Sequence, residues 1–474
     1  MTDIPLSITE AASGLRDGSL TSVALTAAVL ERADRLDGSL GTYLARFDEQ
    51  AMSAAAQADA DLAKGIDRGP LQGIPLGVKD IIAAADGPTT ANSLVLDPAW
   101  GAGKDAPVVS RLRAAGAVIT GKVTTMEFAI GAPDPSKPFP LPCNPWDTGT
   151  WPGGSSSGTG AGVAAGLFLG GLGTDTGGSI RIPAAFCGVS GLMPTFGRVP
   201  KSGCAPLGYS LDHIGPLART AQDCAAMLQV LAGYHPSDPD CAQRPVPDYA
   251  AALEPGLLTG LRVGVDRVHH SPEDADPAVA GAFDAAVAVL EELGATVVEV
   301  SLPYYDEMVA ADMITMASEA LAYHLPDMRS RWGDYFEATR SMVVLGALCS
   351  GADFVQAQRV RRVAVGELMS LFEAVDVVAT PTASVGAPAY DESGRLPLDM
   401  SRLFGQIHTP YWDSVGTPAL VVPMGFTAAG LPLSLHLGGR HWEEGTLLAT
   451  GHAFQQVTDW HRRVPGLVTE PVAA

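Results

Sequence analysis

The run Gly153-Gly154-Ser155-Ser156-Ser157-Gly158, followed by Gly173-Thr174-Asp175-Thr176-Gly177-Gly178-Ser179-Ile180-Arg181-Ile182-Pro183, constrains this chain more than any other feature. Glycine reaches φ > 0 at no steric cost and lets backbone approach a ligand closely, so both runs read as tight turns that present serine hydroxyls. A turn over Thr176, Gly177, Gly178 and Ser179 aims several N–H groups at one point, which is an oxyanion hole in outline. The residues after Ser179 read as a helix start with Pro183 in the first turn, so the helix dipole adds positive potential near the serine oxygen. Ser179 is therefore the predicted nucleophile.

A serine nucleophile needs a base. The Ser-His-Asp solution is the first to try, and 10 histidines are present. None has a context that marks it as a partner, and His213 in Leu211-Asp212-His213 is the nearest. In Gly73-Ile74-Pro75-Leu76-Gly77-Val78-Lys79-Asp80 the apolar Ile74, Leu76 and Val78 alternate with Pro75, Gly77 and Lys79, the period of a strand. A lysine held there away from water loses its charge readily and serves as a neutral base. The competing reading is a solvated lysine at a strand end, and the residues alone leave both open.

With these blocks in view, the chain resembles the amidase signature family of serine hydrolases. The matching text is Gly69-Pro70-Leu71-Gln72 through Asp80, Gly121-Lys122 with Glu127-Phe128-Ala129, Pro152-Gly153-Gly154-Ser155-Ser156, and Gly173 to Leu192. It continues through Ser210 to Pro216, Asp376 to Pro381, Gly416 to Ala419 and Gly430-Leu431-Pro432, and is weakest between about Pro236 and Phe372. The resemblance implies a Ser-Ser-Lys triad of Ser179 as nucleophile, Ser155 as bridging serine and Lys79 as base. It further implies a cis peptide between Gly154 and Ser155, and supporting roles for Ser156, Asp175 and Arg181. Ala129, Ile130 and Gly131 are implied to face the acyl side of the substrate. Departures from the usual family text are Ser157, Thr159, Met193, Asp413 and His436.

Three other motifs compete and fall short. Gly154-Ser155-Ser156-Ser157-Gly158 fits a G-x-S-x-G elbow with Ser156 as nucleophile, but the preceding Pro142 to Pro152 reads as a loop, not a strand. Gly116 to Lys122 begins like a P-loop, yet Val123 stands where a magnesium-binding Ser or Thr is required. Gly160-Ala161-Gly162-Val163-Ala164-Ala165 fits a loose dinucleotide fingerprint without the preceding strand or following acid, so close helix packing explains its small residues.

At 474 residues, 47% hydrophobic and 17% charged, the chain supports a large core. No linker, repeat or charge run divides it. The reading is one α/β domain with a mixed twisted sheet surrounded by helices, as the resemblance also implies. Its parts are an N-terminal helical segment (1–65), a signature core (66–235), a variable, largely helical region (236–375) and a C-terminal part completing the sheet (376–474). Helices are read near 7–62, 105–115, 277–293 and 442–460, with strands at 117–120, 261–265, 295–302, 419–424 and 431–437.

The net charge of −22 opposes a nucleic-acid partner. This weighs against the family branch that serves as the glutamine-hydrolysing subunit of a tRNA-dependent amidotransferase, as does Ile182 where that branch usually has glutamine. The 6 cysteines are scattered and read as free thiols of a reducing cytoplasm. The N-terminus lacks a signal-peptide core and no stretch is long and apolar enough to span a membrane, so a cytoplasmic monomer or homodimer is the expectation. The implied chemistry needs no cofactor and no metal. The loop Gly131 to Cys143, rich in proline and apolar residues, reads as the rim of the acyl pocket, suiting a neutral apolar or aromatic acyl group on an amide, anilide, carbamate or ester.

Overall fold

The computed structural model describes residues 4–253, 256–270, 274–396 and 400–469. Eleven strands form one sheet: β1 (Tyr43–Arg46), β2 (Pro75–Lys79), β3 (Val118–Val123), β4 (Gly170–Asp175), β5 (Ser190–Met193), β6 (His213–Ala218), β7 (Arg262–Asp266), β8 (Thr296–Val300), β9 (Val377–Pro381), β10 (Ala419–Phe426) and β11 (Pro432–Gly439). Their order is β1-β3-β2-β4-β6-β5-β10-β11-β9-β7-β8. The β3-β2-β4 and β9-β7-β8 runs are parallel and the remaining pairs antiparallel, so the sheet is mixed as read from sequence.

Every residue of β2, β3, β4 and β9 is buried, the pattern of strands covered by helices on both faces. This burial removes water from the strand ends, where β2 delivers Lys79 and β4 delivers Asp175. The helix Ser157–Ala165 packs unusually close to its surroundings. A Cβ on Gly162 would meet the Phe168 ring at 2.1 Å and one on Gly160 would meet Pro183 at 2.9 Å, so its small residues serve packing and not a dinucleotide. Gly116, at φ 78°, ends the helix Pro107–Ala114 and leads into β3, as expected for a helix stop.

The β-α-β unit read over 261–302 forms as β7, the helix Pro277–Glu292 and the parallel neighbour β8. The two C-terminal strands form the antiparallel pair β10-β11 around Gly430, at φ 81°. Residues 7–62 are the main difference: between the helices Ser22–Leu40 and Asp48–Ala63 the chain makes β1, in a stretch whose sequence reads as helical. A four-residue edge strand paired only with β3 is too short to show a period in sequence.

Candidate active site

Lys79 is the last residue of β2 and is fully buried. Its Nζ lies 2.7 Å from Ser155 Oγ and 2.7 Å from Thr174 Oγ1. Burial disfavours the ammonium and pushes the Lys79 pKa down to about 7, although the more distant Cys204, Asp175 and Asp212 pull the other way. The surface-lysine reading is thereby set aside. Thr174, the second partner, is not among the residues that the sequence motifs single out. Its signal lies in the register: Val78 pairs with Leu172, which carries Lys79 alongside the end of β4.

Ser155 follows a cis Gly154–Ser155 peptide and is buried. Ser156, next in line, hydrogen-bonds through Oγ to the carbonyl of Thr174 at 3.3 Å and receives its N–H at 3.2 Å. Buried and engaged in this way, with no strand before it, Ser156 is a tie between loops and not the nucleophile of a hydrolase elbow. Its own N–H donates to the Ser179 carbonyl at 3.2 Å, which joins the Ser155 turn to the Ser179 turn. Ser179 itself is half-buried.

The turn from Thr176 to Ser179 is shaped from below by Asp175. Its carboxylate accepts the Gly178 N–H and, at 3.1 Å, the Ile180 N–H. The four N–H groups named from sequence are therefore not equivalent, because Gly178 is already engaged by Asp175. Among the described residues the N–H groups of Gly177 and Ser179 meet no protein acceptor. Thr176 contributes its hydroxyl to Asp212 at 2.7 Å.

Asp175 is held by Arg181, fully buried, through Nε at 2.9 Å and Nη2 at 3.1 Å. Arg181 also contacts Asp413 and reaches the Thr409 carbonyl at 2.8 Å and His436 Nε2 at 3.3 Å. Two of the departures from family text thus meet at one guanidinium. Burial raises the Asp175 carboxyl, but Arg181 outweighs it and holds the pKa low; the Asp413 carboxyl is raised by burial. His213 sits at the start of β6 with Nδ1 3.4 Å from the Asp175 carbonyl, and burial lowers its pKa to about 4. It packs against the network as a neutral ring.

Ser155, Ser179 and Gly177 line one cavity with Ala129, Ile130 and Gly131, which brings the predicted catalytic and acyl-side residues together. Its remaining walls are Met126, Trp151, Gly154, Ile182, Leu207, Met316, Met342, Leu403, Phe404 and Ile407; no charged side chain lines it among the described residues. Of the proline-rich loop expected to form the rim, Gly131 alone contributes. The rest of that loop docks elsewhere, with Lys137 Nζ 3.0 Å from the carbonyls of Gly333 and Asp334 and Phe139 against Phe336. The apolar wall comes instead from the long helix Tyr305–Ser330, the helix Glu337–Leu345 and the 403–407 segment. Glu127 fastens this wall to the catalytic side, accepting from Ser93 Oγ at 2.6 Å and from Phe336 N–H at 2.7 Å.

Comparison with known proteins gives this geometry a context. The Amidase family model matches residues 24–448. The chain belongs to the amidase signature family. Within it, the chain is 40% identical over 487 residues to a glutamyl-tRNA(Gln) amidotransferase subunit of Methylococcus capsulatus, covering 98% of this chain and 99% of that one. It is also 40% identical over 467 residues to the putative amidase AmiD of Mycobacterium tuberculosis, with 97% and 96% covered. The peptide amidase of Stenotrophomonas maltophilia superposes with a TM-score of 0.84 at 29% identity, over 98% of this chain and 100% of that one. A chain from a vestigial protein complex linked to the origins of an s-triazine catabolic enzyme gives 0.86 at 32%, over 95% and 98%. Amidase family members hydrolyse C–N bonds. Among the described residues no single helix is long and apolar enough to cross a membrane.

Proposed function

We propose that this chain hydrolyses neutral carboxamides with apolar acyl groups through a Ser179 acyl-enzyme. The observation that carries the reading is the buried Lys79 amine, its pKa about 7, hydrogen-bonded to Ser155 at the edge of a cavity that also holds Ser179. The neutral amine takes the Ser155 proton while Ser155 Oγ takes that of Ser179, and Ser179 Oγ attacks the carbonyl carbon. The oxyanion is met by the N–H groups of Gly177 and Ser179, each good donor being worth roughly 3 kcal/mol. The C–N bond then breaks as the proton returns through the relay to the departing nitrogen. Water repeats the sequence and releases the acid. Anilides, carbamates and esters of similar shape enter the same acyl chemistry.

A second reading, the glutamine-hydrolysing component of an amidotransferase, is favoured by the identity to such a subunit over nearly the whole chain. Free glutamine carries an ammonium and a carboxylate that require charged partners when taken out of water. Among the described residues the lining of the Ser179 cavity supplies none, but the adjoining space, which shares Ala129 and Leu207 with it, is lined by Lys201, Asp212 and Asp238. The deciding experiment is hydrolysis of a panel of anilides, primary amides, carbamates, esters and glutamine by the purified chain, with Ser179→Ala and Lys79→Ala alongside. Turnover of apolar amides that both substitutions abolish supports the first reading; glutamine turnover alone, or an inert chain that gains activity with partner subunits, supports the second.

A further inference from the structure

We infer that Thr174 is a positioning residue for the base, fixing the direction of the Lys79 lone pair. The inference rests on the proposed Ser-Ser-Lys reading and extends it by one residue. A neutral amine has two N–H groups and one lone pair in tetrahedral directions. To accept the Ser155 proton the lone pair must point at Ser155 Oγ, so an N–H must be anchored elsewhere. Among the described residues Thr174 Oγ1, at 2.7 Å, is the one other hydrogen-bond partner of Nζ. A hydroxyl oxygen has two acceptor sites and one rotating donor, so it receives that N–H and still turns its own proton away.

The threonine is itself held in place. Its backbone N–H and C=O are both engaged by Ser156 Oγ, so the segment that carries the bridging serine also sets the distance from Thr174 to the lysine. Thr174 also borders a cavity of about 160 Å³ with Thr176, Asp212 and His213, which shares Ala129 and Leu207 with the Ser179 cavity. Among the described residues the Thr174 hydroxyl meets no protein acceptor, which leaves its proton free to turn away from Lys79.

The charged state depends on the same contact. An ammonium has three donors, and the described residues offer it two hydroxyl acceptors, Ser155 and Thr174. A hydrogen bond from an ionised donor is about twice as strong as one from a neutral donor, so removing Thr174 Oγ1 costs the ammonium more than the amine. Its loss therefore lowers the lysine pKa further and also frees the amine to rotate. A residue that acted only on the fold would change neither the pH profile nor the chemical step selectively.

The test compares kcat and KM from about pH 5 to 9 for wild type, Thr174→Ser and Thr174→Val on one apolar anilide, after confirming that Ser179→Ala and Lys79→Ala are inactive. Thr174→Ser is expected within about threefold of wild type at all pH values. Thr174→Val is expected to lose about 100-fold in kcat with KM within about threefold, the scale of a misplaced catalytic group. Its acid limb moves to lower pH. Should Thr174→Val not fold, Thr174→Cys, similar in size with a weak acceptor, takes its place. Wild-type kcat and pH profile in the apolar variant, or equal losses in Thr174→Ser and Thr174→Val, would overturn the assignment. Activity surviving in Ser179→Ala would overturn the underlying Ser-Ser-Lys reading instead.

Discussion

The two sides of the active-site cavity are built on different principles. On the catalytic side, Lys79, Ser155 and Ser179 come from strand ends and glycine turns of the 66–235 segment, tied by buried hydrogen bonds from Ser156, Thr174, Asp175 and Arg181. On the opposite side, Met316, Met342, Leu403, Phe404 and Ile407 come from helices and a segment that share no motif. The first side holds Lys79, Ser155 and the two serine-bearing turns by directional bonds. The second offers methionine and aliphatic surface, which adapts to shape and carries no direction. On the proposed reading chemistry and selectivity are separable, and substitutions on each side should report on different kinetic constants.

The largest expected effects lie on the catalytic side. Ser179→Ala and Lys79→Ala should each reduce kcat by about 10⁴-fold or more, as removal of a member of a concerted set does, while leaving the cooperative melt intact. Arg181→Met comes next and acts on the fold. It strands Asp175 and Asp413, both fully buried, and should cost about 3–5 kcal/mol in urea unfolding. Arg181→Lys should recover little of this, because an ammonium cannot reproduce the forked contacts to both carboxylates and the Thr409 carbonyl.

The pH dependence sharpens the same side. The proposed relay needs Lys79 uncharged and burial lowers its pKa to about 7, so kcat/KM should fall about tenfold per unit below that value and level off above it. A flat profile down to about pH 5 in steady-state assays would place the base elsewhere. On the opposite side effects are smaller and selective. Met342→Ala should lower kcat/KM for a phenyl- or long-alkyl-acyl amide by about tenfold, the scale of a few lost methylene contacts, and leave acetamide nearly unchanged. An equal loss for both substrates would mean that this wall shapes the catalytic turn as well as the pocket.

What the sequence discloses follows this division. Ser179 stands out in the sequence because its tight turn demands glycine, whereas Lys79, on a strand, and Ser155 are singled out by the family resemblance; folding brings Lys79 and Ser155 into contact. β10, β11 and the β7-helix-β8 unit are legible because their apolar periods run long enough. β1 is not, being a four-residue edge strand. Asp413 and His436 stand out in the sequence as departures without a place; folding brings both to Arg181, across roughly half of the chain. Thr174 looks like one more residue of a glycine-rich run until the β2-β4 register sets it beside Lys79. The apolar wall belongs to a different segment from the proline-rich loop that the sequence suggests, since methionines on an amphipathic helix read alike whether they face a core or a cavity.

The central claim is that Ser179 carries the acyl group. Rapid quench of the protein with an activated apolar ester, followed by intact-mass and peptide mass spectrometry, tests it directly. One acyl adduct per chain on the peptide containing Ser179, absent from Ser179→Ala and slowed in Lys79→Ala, is the predicted result. An adduct on Ser155 or Ser156, or an undiminished adduct in Ser179→Ala, would contradict it.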